Sequence, residues 1–534
     1  MKFNIKFFTL IAFVALLLAS CAKKLDIFPT NGRSSASIYG TPEGYKSVLA
    51  KLYSTLSLTG AQGPAGSPDI GGGLDEGSQV GFIRTYFNLN ELPTDEAVVA
   101  WNDQTIWDFH SLKWTSADPF LKGAYARPIW NITMINEYLR QATDDALAAN
   151  GITGTEATIV KNTRGEARFL RAFNYWLMLD WFGKSTFITE EDGVGYFLPK
   201  EISRKDLFTY IETELKTAET ELAAVKTAEY GRVDQGAAWA LLARLYLNAG
   251  VYTGTTRYND AITYASKVIS GGYTLNPDYR QLFMADNDRT SKNEFIFVAA
   301  CDGLNTKSFA NTTFLIHAPA GSDNWDYGAN NGWFGYRATK AFAEKWPDLS
   351  GATDKRAMFK TSAFDATLAQ AEIPDVSDFS NGLHVNKFRN IRADGARVSD
   401  PASEFSDIDF PIIRLPEMYL IYAEAVLRGG TGGTTATALE YINSIRTRAG
   451  AANISTGEMT LQFILDERAR ELYWEGHRRT DLVRYNLLTT GTYLWPWKGG
   501  VASGTAVDAR FNIYPIPAAN ITSNSNLHQN DGYN

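Results

Sequence analysis

The chain has 534 residues, 45% of them hydrophobic and 21% charged, with a formal net charge of −8. That is enough apolar content for a large core or several subdomains, and an acid excess without any basic stripe argues against a nucleic-acid partner. The only cysteines are Cys21 and Cys301, so a chain that uses Cys21 otherwise has no internal disulfide and relies on its core.

Residues 1–6 carry Lys2 and Lys6 and no acid, and residues 7–20 (FFTLIAFVALLLAS) are almost wholly apolar. The run is too short to cross ~30 Å of hydrocarbon as a helix and reads as the h-region of a signal peptide over 1–20. It ends Leu18-Ala19-Ser20-Cys21. Small residues before a cysteine resemble a bacterial lipobox, so cleavage before Cys21 and acylation of its thiol are expected. The alternative is an ordinary secretory peptide with a chance cysteine. Residues 21–40 then read as a lipidated tether, with Leu25, Ile27 and Phe28 available to dock it.

Thr41, Pro42 and Glu43 are an N-cap, a first-position proline and a first-turn acid, so a helix is expected through GYKSVLAKLYSTLS. Residues 59–79 are too rich in Gly and Pro for regular structure and read as a long loop. Residues 128–144 and 164–182 read as helices, the second apolar nearly all round and therefore buried. Further helices are expected over 204–224, 234–248, 259–270, 416–428 and the stretch from Ala438. Leu207, Ile211, Leu215, Ala218 and Leu222 line one of them, and Ala238, Leu241, Leu242 and Leu245 another. Short loops make helical hairpins of 234–270 and of the pair after 416. Units of roughly 35 residues of this small-plus-aromatic type resemble tetratricopeptide repeats. Residues 285–408, rich in Asn, Asp, Gly and aromatics, read as an irregular insertion. The expected fold is mainly α, with tetratricopeptide-like helical hairpins over 41–284 and 409–534 and the loop-rich insertion between them.

Aromatics are plentiful, at 13 Trp, 26 Tyr and 30 Phe. Rings set among Gly, Asn and Asp suit sugars, whose C–H faces pack on rings while their hydroxyls seek polar partners. In 322–336 (SDNWDYGANNGWFGY) the residues Trp325, Tyr327, Trp333 and Tyr336 are the first candidates for an exposed platform. Asp69 and Asp75, the latter followed by Glu76, are candidate acceptors for sugar diols in the 59–79 loop, or simple turn formers. Cys301 reads as filling a buried gap, with ligand contact as the alternative because a loop (DGLN) follows it. Arg389 and Arg392 are candidate donors to hydroxyls or to an acidic ligand, with a plain surface role as the alternative. Glu467, Glu471 and Glu475 fall at i, i+4 and i+8 in a helix expected over 464–485. Paired acids invite a glycosidase reading, but the arginines between them make a salt-bridge lattice of ionised carboxylates the better one. Five scattered histidines, no HExxH, no GxSxG and no P-loop leave no catalytic centre, metal or cofactor to expect.

Six stretches carry a family resemblance: LPTDEAVVAW (92–101), GEARFLRAFNYWLMLDWFG (165–183), FPIIRLPEMYLIYAEAVLR (410–428), ALEYINSIRTRAG (438–450), ILDERARELYWEGHRRTDLVRY (464–485) and YPIPAANITSNSNLHQNDGY (514–533). Together with the lipobox and the Leu25-Asp26 after it, they resemble the SusD/RagB family of Bacteroidetes outer-membrane lipoproteins along essentially the whole mature chain. The resemblance implies tetratricopeptide-like repeats, no catalysis, and a SusC-like TonB-dependent transporter over which the lipoprotein sits as a lid. It implies an anchor on the outer face of the outer membrane; Ala22, and not Asp, follows Cys21. It also places the neighbourhood of Trp101 near a glycan face, with Trp107 and Trp114 as weaker candidates. The expected function is capture of oligosaccharide or polysaccharide at the cell surface and its delivery to the transporter. A peptide-binding lid of RagB type remains as an alternative and would show a deep groove with unpaired backbone edges. A surface glycoside hydrolase would need two carboxylates roughly 5–10 Å apart in a cleft.

Overall fold

Side-chain caps set where most of the long helices begin. In the computed structural model, which describes residues 35–103, 105–360 and 366–533, the helix Pro42–Ser54 starts where Thr41 Oγ1 accepts the Gly44 N–H at 3.2 Å, with Pro42 at the first position. Asp118, Ser203, Asp234, Thr434 and Thr460 cap Pro119–Gln141, Arg204–Glu221, Gln235–Leu247, Thr435–Ala449 and Leu461–Leu472 in the same way. The signal peptide, Cys21 and the tether residues Leu25, Ile27 and Phe28 lie outside the described residues. No described helix is long and apolar enough to cross a membrane.

The chain is mainly helical, and its long helices pack in sequence order. Pro42–Ser54 lies on Pro119–Gln141, which lies on Arg164–Trp181; Arg204–Glu221, Gln235–Leu247, Tyr258–Ile269, Leu415–Leu427 and Thr435–Ala449 follow, each on the one before. The helix Arg164–Trp181 is buried everywhere except at Arg164 and Arg168, as an all-round apolar sequence requires. Both expected hairpins are present as packed pairs.

Two expectations are corrected. Pro128 does not open its helix: the helix begins at Pro119, and Pro128 sits inside it. The Asp118 cap and the packing of this helix against Arg164–Trp181 outweigh the one backbone hydrogen bond that proline removes. Residues 464–485 are not one helix either. Leu461–Leu472 ends, Trp474 (φ 62°) and Gly476 (φ 85°) turn the chain through the left-handed region, and Arg478–Arg484 follows. A Cβ at Gly476 would lie 1.9 Å from Tyr86 Cε1, so the Tyr86 ring lying against this backbone demands glycine.

The three glutamates of that region hold a buried ion lattice. Glu467 pairs with Arg356 at 2.8 Å, Arg446 at 2.9 Å and Arg470 at 2.7 Å. Glu471 meets Arg356 at 3.2 Å and also Arg414 and Arg448, and Glu475 meets Lys387 and Arg414, each at 2.7 Å. Most of these cations come from outside the 464–485 segment, so the lattice stitches distant parts of the chain together. Burial pushes both Glu467 and Glu471 upward, but the surrounding arginines outweigh it and hold each at about 2. Acids held ionised in this way have no proton to donate to a glycosidic oxygen.

Between residues 285 and 408 the longest described element is the six-residue helix Thr312–His317. Two antiparallel pairings tie this stretch to the helices. Phe295–Ala299 pairs with Phe410–Arg414, and Val98–Val99 pairs with Tyr336–Arg337 in the register Val98↔Arg337, Val99↔Tyr336. The second pairing builds the site.

Candidate ligand-binding site

Past Val99 the ladder continues, with the Ala100 N–H donating to the Gly335 carbonyl at 2.9 Å, and this sets Trp101 against the turn at 333–335. Trp101 Nε1 donates to the Trp333 carbonyl at 3.2 Å and to the Phe334 carbonyl. The indole lies directly on Gly335, where a Cβ would be 2.3 Å from Nε1. Behind it the buried Tyr336 ring stands edge-on at 5.0 Å.

Trp333 is fixed from below. Its N–H donates to the His317 carbonyl at 2.9 Å, and its ring stacks on the His317 imidazole at 4.8 Å and 18°. The two imidazole nitrogens face the Asn331 and Glu404 carbonyl oxygens, each at 2.8 Å, so the histidine is wedged between two loops. Phe309 follows, 6.2 Å from Trp333 and backed by Phe405 at 5.3 Å. Trp101, Trp333 and Phe309, all half-buried, form an arc with 6.2 Å between neighbouring rings. Successive ring planes turn by 51° and 56°, so the surface is not flat.

Arg84 lies against the arc, 5.5 Å from the Trp101 ring centre and 5.0 Å from that of Phe314. Its Nη1 donates to the Gly77 carbonyl at 2.8 Å, while its buried Nε has no partner among the described residues. Burial lowers the guanidinium pKa; Tyr336, Asp103 and Asp75 act against that shift and therefore stand near it. Asp75 is exposed and accepts the Ser78 hydroxyl at 2.6 Å. Glu76 staples the loop by accepting the Thr59 hydroxyl and the Gly66 N–H, each at 2.8 Å. Three partly open rings, with the exposed Asp75 and Asp103 near enough to act on the Arg84 charge, are equipped to stack on sugar faces and accept bonds from hydroxyls.

Of the residues singled out in the sequence, Trp101, Trp333 and Asp75 converge here. The others do not. Tyr327 and Tyr336 are fully buried and offer no stacking face; Tyr336 donates to Asn88 at 2.7 Å and backs Trp101. Asp69 binds Lys51 at 2.8 Å and Arg127 at 3.2 Å, which ties the loop to the helices Pro42–Ser54 and Pro119–Gln141 rather than to a ligand. Cys301 is buried, as the gap-filling reading expects, and burial pushes its thiol up to about 12. Arg392 pairs with Asp394 at 2.7 Å and Arg389 donates to the Asp326 carbonyl at 2.6 Å, both apart from the arc. Trp114 is buried, donating to Tyr533 Oη at 2.8 Å, and Trp107 is half-buried beside His110. Trp325 is 69% exposed on the turn Asn324–Tyr327 and touches no other ring of the described residues. Phe309, Arg84 and Asp103 are the members that sequence reasoning missed. Arg84, a lone cation inside the apolar helix Phe82–Asn90, was the one with a readable signal.

Among the described residues no group of His, Cys, Asp and Glu is arranged to hold a metal ion. The profile of the SusD family (SusD_RagB) matches residues 250–533. The starch-binding protein SusD of Bacteroides thetaiotaomicron is 37% identical over 565 aligned positions, covering 98% of this chain and 98% of its own. A SusD-like protein of Bacteroides ovatus is 23% identical, over 89% of this chain and 81% of its own. A crystal structure of a SusD superfamily protein from Parabacteroides distasonis superposes with a TM-score of 0.69 at 22% identity, over 92% of this chain and 99% of that one. A SusD-like carbohydrate binding protein from Bacteroides fragilis gives 0.69 at 18%, over 92% and 100%. At these identities the two structures speak for the fold alone.

Proposed function

Because the chain belongs to the SusD family, we propose that it is a non-catalytic glycan-binding protein that takes α-glucan of the starch type on the Trp101–Trp333–Phe309 arc. The observation that carries this reading is the arc itself. Rings whose planes turn by 51° and 56° suit a curved chain better than a flat ribbon, and starch is a curved α-glucan. The name of the 37%-identical relative supports the same class. Partly open rings beside Asp75, Asp103 and Arg84 support glycan over peptide.

In this proposal the lipid on Cys21 holds the protein on the outer face of the outer membrane, and the glycan passes to a SusC-like TonB-dependent transporter. The run Val194, Tyr196, Phe197 and Leu198 supports a docking role, because Val194 is 82% and Tyr196 95% exposed. Contiguous apolar side chains in water mark contact surfaces.

Affinity electrophoresis through amylopectin, xylan and fructan gels tests the reading. Retardation by amylopectin, lost in Trp101→Ala and Trp333→Ala, is expected. Retardation by xylan or fructan instead would overturn the glycan class, and unchanged retardation of both variants would overturn the site.

A further inference from the structure

Trp333 and Phe334 are consecutive, yet their rings have separate neighbours. Trp333 meets Trp101, Phe309 and His317, whereas Phe334 meets Gly321 and His384. Phe334 adopts φ 43°, and this left-handed step turns its ring away from the arc. The ring enters a second cavity of about 430 Å³, in the size range of small-ligand sites, which Phe334 shares with Phe379, His384, Asp323, Gln370 and Asn381.

The cavity wall has the make-up of a sugar site. Phe379 is 41% exposed and Phe334 half-buried, so two phenyl rings are available for stacking. His384 is 92% buried on the short strand His384–Val385, and its Nδ1 is buried with no hydrogen-bond partner among the described residues. Asp323 Oδ1 accepts the Gly321 N–H at 2.9 Å, while Oδ2 is buried without a partner among the described residues. Native proteins rarely leave such groups unpaired, and their concentration at one wall points to polar groups supplied from outside. Asn381 and Gln370 add amide groups at the rim.

We infer that this cavity is a second sugar-binding pocket, taking one end of a glycan whose body lies on the Trp101–Trp333–Phe309 arc. The inference rests on the glycan reading given above. The two sites meet through one turn, since the Cα atoms of Trp333 and Phe334 are only ~3.8 Å apart, and a curved chain that leaves Trp333 rounds that turn into the pocket. The hydroxyls of the terminal sugar then satisfy His384 and Asp323.

Titration calorimetry on the full mature chain, with maltotriose and maltoheptaose as probes, tests this. Phe379→Ala removes a ring and Ser322→Trp fills the mouth; both positions are exposed, so folding is not at stake. Each variant is expected to bind maltoheptaose about five- to tenfold more weakly, the size of one lost stacking contact, while binding of maltotriose on the arc is unchanged. Trp333→Ala is expected to weaken both ligands. Wild-type affinity of both variants for maltoheptaose, or an equal loss for the two ligands, would overturn the second pocket while leaving the arc intact. Failure of the wild-type protein to bind either sugar would overturn the α-glucan reading on which the pocket rests.

Discussion

Replacing Glu471 by Gln removes one charge from the centre of the buried lattice. Arg356, Arg414 and Arg448 all touch this carboxylate, and none of their side chains is more than 3% exposed. The neutral amide leaves an unbalanced guanidinium in the interior, a loss of about 3–5 kcal/mol for a broken buried pair. At roughly 2.1 cal/mol/K per residue, a body of about 500 residues has an unfolding entropy near 1 kcal/mol/K. Scanning calorimetry of Glu471→Gln at pH 7 is therefore expected to show a fall in Tm of about 3–5 °C. The pH dependence gives a second handle. The folded protein holds Glu471 at about 2, below its ordinary value of 4.5. The stabilisation is therefore complete above pH 4.5 and is lost as pH falls through about 2, so the Tm gap between wild type and variant narrows from pH 5 to pH 3. A variant as stable as wild type at pH 7, or a gap that widens on acidification, would refute the assignment of these acids to a structural lattice.

Three further outcomes follow from the same contacts. Gly335→Ala puts a methyl 2.3 Å from Trp101 Nε1 and is expected to weaken amylopectin retardation while lowering stability by about 1–3 kcal/mol, measured by gel affinity and denaturant titration. Burial raises Asp409 to about 7, so the folded state favours its proton and loses stability as pH rises from about 4 to 7; the Tm of Asp409→Asn relative to wild type is expected to be higher at pH 8 than at pH 5. Cys301, buried with its thiol pushed up to about 12, is expected to resist a thiol reagent in the native protein and to react once it is unfolded in urea.

The helices were legible because their signals are local. Thr41-Pro42 marks a start, and Leu207, Ile211 and Leu215 mark a face, within a few residues of one another. The break at Trp474–Gly476 was hidden, since the left-handed turn is imposed by the close pass of Tyr86, almost 400 positions away. The arc shows the same division. Trp101 and Trp333 stand out as aromatics in polar loops, but Phe309 and Arg84 join them only through the pairing of Val98–Val99 with Tyr336–Arg337 and the packing of loop 75–79. Tyr327 and Tyr336 looked equally exposed in sequence. Their Gly- and Asn-rich surroundings reflect tight turns rather than solvent, and both rings fill the core beneath the loop.

Glycan binding on the half-buried arc is decided by titrating maltoheptaose into wild-type protein and Trp333→Ala with Tm measured alongside. Measurable binding by wild type and at least a tenfold loss in the variant, the cost of a central ring, are expected, with a Tm change too small to indicate unfolding. Undiminished affinity in a folded Trp333→Ala protein would contradict binding on the arc.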